Sequence, residues 1–124
     1  MTTRWILAAS ALAFPMAVAA QPAPPAAQAE IDHLLDYISH SNCRFNRNGS
    51  WHGMEEARAH IGMKYNYLRD RDKVPNAEAF IDDAASKSSF SGKNYLVECP
   101  GQPATPSGDW LRAELERFRK LPKG

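Results

Sequence analysis

Cysteine is nearly absent from this chain of 124 residues, and Cys43 and Cys99 are the only two. No Cys-x-x-Cys pair exists, so the spacing that holds a reactive thiolate beside its resolving partner is missing. Charge of one sign is also lacking: the formal net charge is +1, and no block of like charge occurs. That balance excludes a general nucleic-acid binder and a protein that coats anionic membranes with its whole surface. There is no Gly-x-Ser-x-Gly elbow, no Ser-x-x-Lys opening a helix, and no His/Glu/Asp trio at metal-ligand spacing. Internal repeats are absent, and only one apolar run is long.

That run, Trp5 to Val18, follows a short head carrying Arg4 and leads into Ala17-Val18-Ala19 before Ala20 and Gln21. The arrangement describes a secretory signal peptide over residues 1–20, cut after Ala19 or Ala20. The block falls short of the roughly 20 apolar residues that a membrane span needs. A retained anchor is the alternative. Removal of the head takes away Arg4 and leaves Lys plus Arg equal to Asp plus Glu, so the mature chain is formally neutral. Pro22, Pro24 and Pro25 among alanines make residues 21–29 a Pro/Ala-rich tether, expected to be extended. In an exported chain, two cysteines predict one disulfide. Cys43 and Cys99 lie 56 positions apart, and closing that loop stabilises by about 4 kcal/mol on the chain-entropy argument.

Residues 30–120 have room for a single domain. Helix one is expected from Glu30, with Ile31, Leu34, Leu35 and Ile38 as its buried face. On its other side His33, Asp36 and His40 invite a metal reading, but the two histidines are seven apart, two turns along the helix, and their rings do not converge. A solvated face is expected there. Asn48-Gly49 is a strong two-residue hairpin signal, and the hairpin runs into helix two. The stripe Met54, Ala57, Ile61, Tyr65 and Leu68 faces inward, with His60 and Lys64 one turn apart beside it. Arg69 to Lys73 alternates in sign and Val74-Pro75 stops the helix. Asn76 caps helix three, whose apolar face is Ala77, Phe80, Ile81 and Ala84. Ser86 to Lys93 is a polar loop, Tyr95 to Cys99 a strand, and residues 100–106 a loop. Ser107 or Asp109 caps a last helix whose Trp110, Leu111, Leu115 and Phe118 cover the sheet. A Cys43–Cys99 bridge places the C-terminal strand beside the hairpin. The expected fold is therefore small, single-domain α+β, with about four helices packed on a short antiparallel sheet of hairpin plus one strand.

The ordered pieces Phe45-x-Arg47-Asn48-Gly49, Glu56-Ala57-x-x-His60-Ile61-x-x-Lys64, Ala77-Glu78-x-Phe80-Ile81 and Ser88-Ser89-x-Ser91-Gly92-x-x-Tyr95 are familiar. Over roughly residues 30–118 the chain resembles the YfeK-like family of small bacterial periplasmic proteins, a domain of unknown function. The resemblance implies a size and a periplasmic location; it implies no activity and no cofactor. The cysteine pair is less general in that family, so the bridge rests on the compartment argument.

Matching onto those motifs singles out Arg47, Asn48, Gly49, His60, Lys64, Ser89, Ser91 and Gly92. Cationic donors, hydroxyls and the backbone N–H of Gly92 in one neighbourhood suit a carboxylate, phosphate or acidic glycan. The plain structural alternative makes Lys64 part of a solvated flank and the serines mere turn formers. An enzyme alternative is a small hydrolase with Ser89 or Ser91 as nucleophile and His60 or Lys64 as its base. A third is an envelope protein partner meeting Trp51, Tyr65, Tyr67 or Trp110. Asn48-Gly49-Ser50 also spells an N-glycosylation triplet, although Asn48 already has work in the turn. The composite reading is a non-enzymatic exported binding or interaction protein without metal, cofactor, nucleic-acid partner or, once the signal is cut, membrane span.

Overall fold

The hairpin is set by two residues that accept positive φ. Asn48 has φ 52° and Gly49 φ 86°, the pair of left-handed conformations that a tight primed turn requires. In the computed structural model, which describes residues 24–122, this turn joins β1 (Arg44–Arg47) to β2 (Ser50–His52). Phe45 lies opposite His52. The Cys43–Cys99 disulfide is formed and brings β3 (Leu96–Glu98) antiparallel to β1, with Phe45 facing Val97 across the pair. Both side chains are buried, so the bridge and the cross-strand apolar pair fix one register.

A fourth strand, β4 (Thr105–Pro106), extends the sheet to the order β2-β1-β3-β4. Sequence alone assigns these residues to a loop, because Pro cannot donate to a ladder. At the sheet edge that missing donor costs nothing.

Helix α1 spans Pro25–Ser39, five residues earlier than expected, so residues 25–29 are helical and not extended. Pro25 at the first helical position has a preset φ, and the N–H it lacks is one that the helix would leave unpaired there. The alanines after it are strong helix formers, Ala27 is buried, and Gln28 accepts a 3.0 Å bond from the Tyr65 hydroxyl. The proposed signal peptide and residues 21–23 of the tether lie outside the described residues.

Helix α2 spans Met54–Arg69 and buries Ala57, Ile61 and Tyr65 as its periodicity predicts. Helix α3 (Ala77–Phe80) is capped by the Asn76 side chain, which accepts from Ala79 N at 2.8 Å. It continues as a wider π turn over Ile81–Ala85, where the Ser86 hydroxyl donates to the Ile81 carbonyl at 2.6 Å.

Helix α4 (Ser107–Arg119) starts without a side-chain cap. Ser107 sits inside the first turn, fully buried, and its hydroxyl has no partner among the described residues. Asp109 instead meets Arg112 at 3.2 Å. Gly108 is required by packing, because a Cβ there would stand 2.5 Å from the Ser86 hydroxyl.

The core lies where α1, α2, α3 and α4 converge on the inner face of the sheet: Ile31, Leu34, Ile38, Ile61, Phe80, Ile81, Val97 and Leu111 are nearly or wholly sealed from solvent. Trp110 meets Phe45 edge-on at 5.7 Å, whereas Phe118 stacks on His33 at 4.0 Å and so covers α1, not the sheet. His33 is correspondingly not on a solvated face. Its Nε2 lies 2.6 Å from the buried Glu114 carboxylate, which also takes two 2.6 Å bonds from Arg117. Those hydrogen bonds, Arg117 foremost, hold the Glu114 carboxyl below its ordinary pKa despite burial.

Candidate functional site

Two turns of α2 carry His60 and Lys64 toward the start of β3, because the inward stripe occupies the adjacent positions of the helix. Between them stands Tyr95, buried just before β3. Its hydroxyl is 3.1 Å from Lys64 Nζ and 3.2 Å from His60 Nε2. An ammonium has only protons to give, so Tyr95 accepts from Lys64 and its own proton is free to point at His60. Lys64 donates a second bond, 2.8 Å, to the Lys87 carbonyl. Arg47, from the end of β1, completes the group and lines a recess of about 20 Å³ with His60, Tyr95 and His52. That recess admits about one water-sized group.

The electrostatics are one-sided. Burial first, then the charges of Arg47, Lys64 and His52, hold the His60 imidazole below its usual 6.5. Burial and then Arg47 lower Lys64, with Asp83 opposing. Burial raises the Tyr95 phenol against the pull of Arg47. No carboxylate is hydrogen-bonded to Arg47, His60 or Lys64 among the described residues; Asp83 acts on Lys64 only through space, and Glu56 is bonded at 2.7 Å to His52 on the recess lining.

The other sequence candidates form a separate lock. Ser91 donates to Asn48 Oδ1 at 2.5 Å, and Asn48 Nδ2 donates to Ser88 Oγ at 3.3 Å. Ser88, buried, accepts in addition from the backbone N–H groups of Phe90 and Ser91, each at 3.2 Å. The Gly92 N–H, expected to be open, donates to the Ser88 carbonyl at 2.9 Å; Gly92 itself, at φ 72°, turns the loop. Ser89 belongs to neither group and is exposed beside Lys64. Neither the Ser89 nor the Ser91 hydroxyl bonds to His60 or Lys64 among the described residues.

Sequence reasoning thus missed Tyr95, read as a strand residue, and Ser88, passed over for its neighbours. Both stood in the quoted motif pieces. The described residues hold no group of three or more His, Cys, Asp or Glu side chains placed to bind a metal. They also hold no helix long and apolar enough to cross a membrane.

Residues 25–119 match the family of unknown function DUF5329. The chain belongs to that family. It is also 39% identical over 69 residues to the uncharacterised protein YfeK of Salmonella typhimurium, a match covering 55% of this chain and 56% of that protein. The chain therefore spans little more than half the length of the curated relative it matches. No solved structure matches it. In this DUF5329 chain the family match runs from the first turn of α1 to the last residue of α4, so it includes the recess, the loop lock and the scaffold.

Proposed function

We propose that this protein is an exported, non-enzymatic binding protein that takes the anionic end group of a small molecule at Arg47, His60, Lys64 and Tyr95. One observation carries the reading: His60 and Lys64 meet on the Tyr95 hydroxyl with the Arg47 charge acting on both, and among the described residues no carboxylate is hydrogen-bonded to any of the three cations. Cations held together without counter-charge repel one another, and an anion relieves that repulsion while accepting their protons. The recess, walled also by Phe45, Ala57 and Ile61 and without Lys64 on its lining, is too small to swallow a ligand, so the anionic group sits at its mouth and the rest of the molecule lies outside. Asn48, Ser91 and Gly92 act one step removed, by holding the loop whose Lys87 carbonyl positions Lys64. Export is supported by the apolar head, the small residues after it and the single disulfide.

The hydrolase alternative has less support. Ser91 spends its proton on Asn48, and Ser89 stands beside Lys64 without bonding to it, so no activated hydroxyl is in place.

The test is thermal unfolding of the whole chain in phosphate, sulfate or acetate against chloride at equal ionic strength. Tm should climb with anion concentration by linkage, and Arg47→Ala should abolish the rise. A Tm indifferent to all three anions, or an equal rise in Arg47→Ala, contradicts the reading.

A further inference from the structure

The strongest unexplained feature lies beside the recess and does not depend on its occupant. Phe90 is 98% exposed at the tip of the loop between α3 and β3. One exposed apolar side chain alone is ordinary; a group of them on one face marks a place that something covers. Here the loop is fastened. Its Ser88 backbone pairs with Lys93 and Gly92, its Ser88 hydroxyl takes two backbone protons, Asn48 grips it from the hairpin, and Lys64 holds the Lys87 carbonyl from α2. Phe90 is therefore held out in water by a rigid frame.

The surroundings continue the pattern. Met63 and Tyr67, one turn apart on α2, are 62% and 57% exposed. They line a shallow groove of about 360 Å³ with Lys64, Leu68, Asp83 and Ser89, and Ser89 is the chain neighbour of Phe90. The Arg71 guanidinium lies over the Tyr67 ring at 3.6 Å. From Ala84 to Val97 no Asp or Glu occurs, and exposed Lys87 and Lys93 flank Phe90 on both sides. Among the described residues, Asp83 is the one carboxylate lining the groove. The chain as a whole is balanced in charge, yet this face is locally basic and locally apolar.

We infer that the Phe90 loop and the Met63–Tyr67 face of α2 dock on an anionic lipid bilayer surface. Aromatic and Met side chains enter the boundary between headgroups and acyl chains, while the exposed Lys87 and Lys93 meet lipid phosphates. Several cations spread around a projecting ring fit a plane of negative charge better than a single acidic pocket. The apolar residues are likewise spread between cations and do not form one continuous plug, which suits shallow insertion.

The test uses the whole folded chain and vesicles of phosphatidylglycerol mixed with phosphatidylcholine, or of phosphatidylcholine alone, with brominated acyl chains as a contact quencher. The emission that Phe90→Trp adds over the wild type reads the loop tip itself, whatever other segments do. Expected are a blue shift and quenching on the anionic vesicles, weakened by high salt and roughly tenfold or more by Lys87→Glu with Lys93→Glu. Added emission that stays unquenched on anionic vesicles overturns the inference and leaves the tip to a protein partner. Equal quenching on phosphatidylcholine alone, indifferent to salt, overturns the role given to the lysines.

Discussion

The α1–α4 seam and the α2–β1 face both carry a histidine among charged neighbours, and they treat it in opposite ways. At the seam, His33 and Arg117 converge on the Glu114 carboxylate, Phe118 closes one side, and Arg119 reaches Glu30 at 2.7 Å and Glu78 at 2.6 Å. Every charge there has its opposite. On the α2–β1 face, His60 has Arg47 and Lys64 for neighbours and a phenol for a partner. A matched set of charges joins elements of the scaffold, whereas an unmatched set raises the free energy of the bare fold and lowers it again when an anion arrives. The difference separates residues kept for holding the domain together from residues available for a ligand.

Breaking the scaffold should give the largest effects. Replacing both cysteines by Ala should lower stability in urea by about 4 kcal/mol while leaving native-state secondary structure in place. Glu114→Gln comes next. It removes the charge and one of the two acceptor oxygens that His33 and Arg117 share, and puts an amide donor in the buried position beside them, a loss of about 1–3 kcal/mol. The same seam sets an acid limit. Because the folded pKa of Glu114 is lowered, its contribution is present above the ordinary carboxylate range and is lost as pH falls through the depressed value. Urea melts of wild type and Glu114→Gln should therefore converge in acid and separate toward neutral pH.

The hairpin-to-loop lock is smaller. Asn48→Gly keeps the positive-φ turn but removes the grip on Ser88 and Ser91, and should cost about 1 kcal/mol, with faster amide exchange concentrated in the 87–93 loop. Smallest in stability, and most telling, is Arg47→Ala. With no side-chain hydrogen bond to lose among the described residues, its unfolding free energy should stay within about 0.5 kcal/mol of wild type, while anion-dependent stabilisation disappears.

The architecture was legible wherever a local rule and a long-range constraint agreed. Asn48-Gly49 specified the turn, the stripes through Ile31 and Ile61 specified the buried helix faces, and Cys43 with Cys99 placed β3 against β1. Where local chemistry had two readings, the outcome depended on tertiary neighbours. Pro25 opens a helix because the core buries Ala27 and Tyr65 bonds to Gln28, and Pro106 joins the sheet because it lies at an edge. His33 looked solvated because nothing in α1 announces a buried Glu on α4. The site divided in the same way. His60 and Lys64 were visible as a pair one turn apart, but the serines of the 86–93 loop are alike in sequence, and only burial marks Ser88 as the organiser. Tyr95 was hidden by its strand-like composition, since the same aromatic residue serves a ladder or a polar cluster depending on what faces its hydroxyl.

The unmatched cluster is tested most directly by NMR titration of the His60 imidazole in the full chain, with and without inorganic phosphate. The imidazole should titrate below 6.5 in chloride, because burial disfavours its charged form and protonation adds a third charge beside Arg47 and Lys64. It should shift upward on adding phosphate, and upward in Arg47→Ala without phosphate. Titration at or above 6.5 in chloride, unmoved by the anion or by the substitution, would show that these side chains do not feel one another and would remove the basis for a binding site.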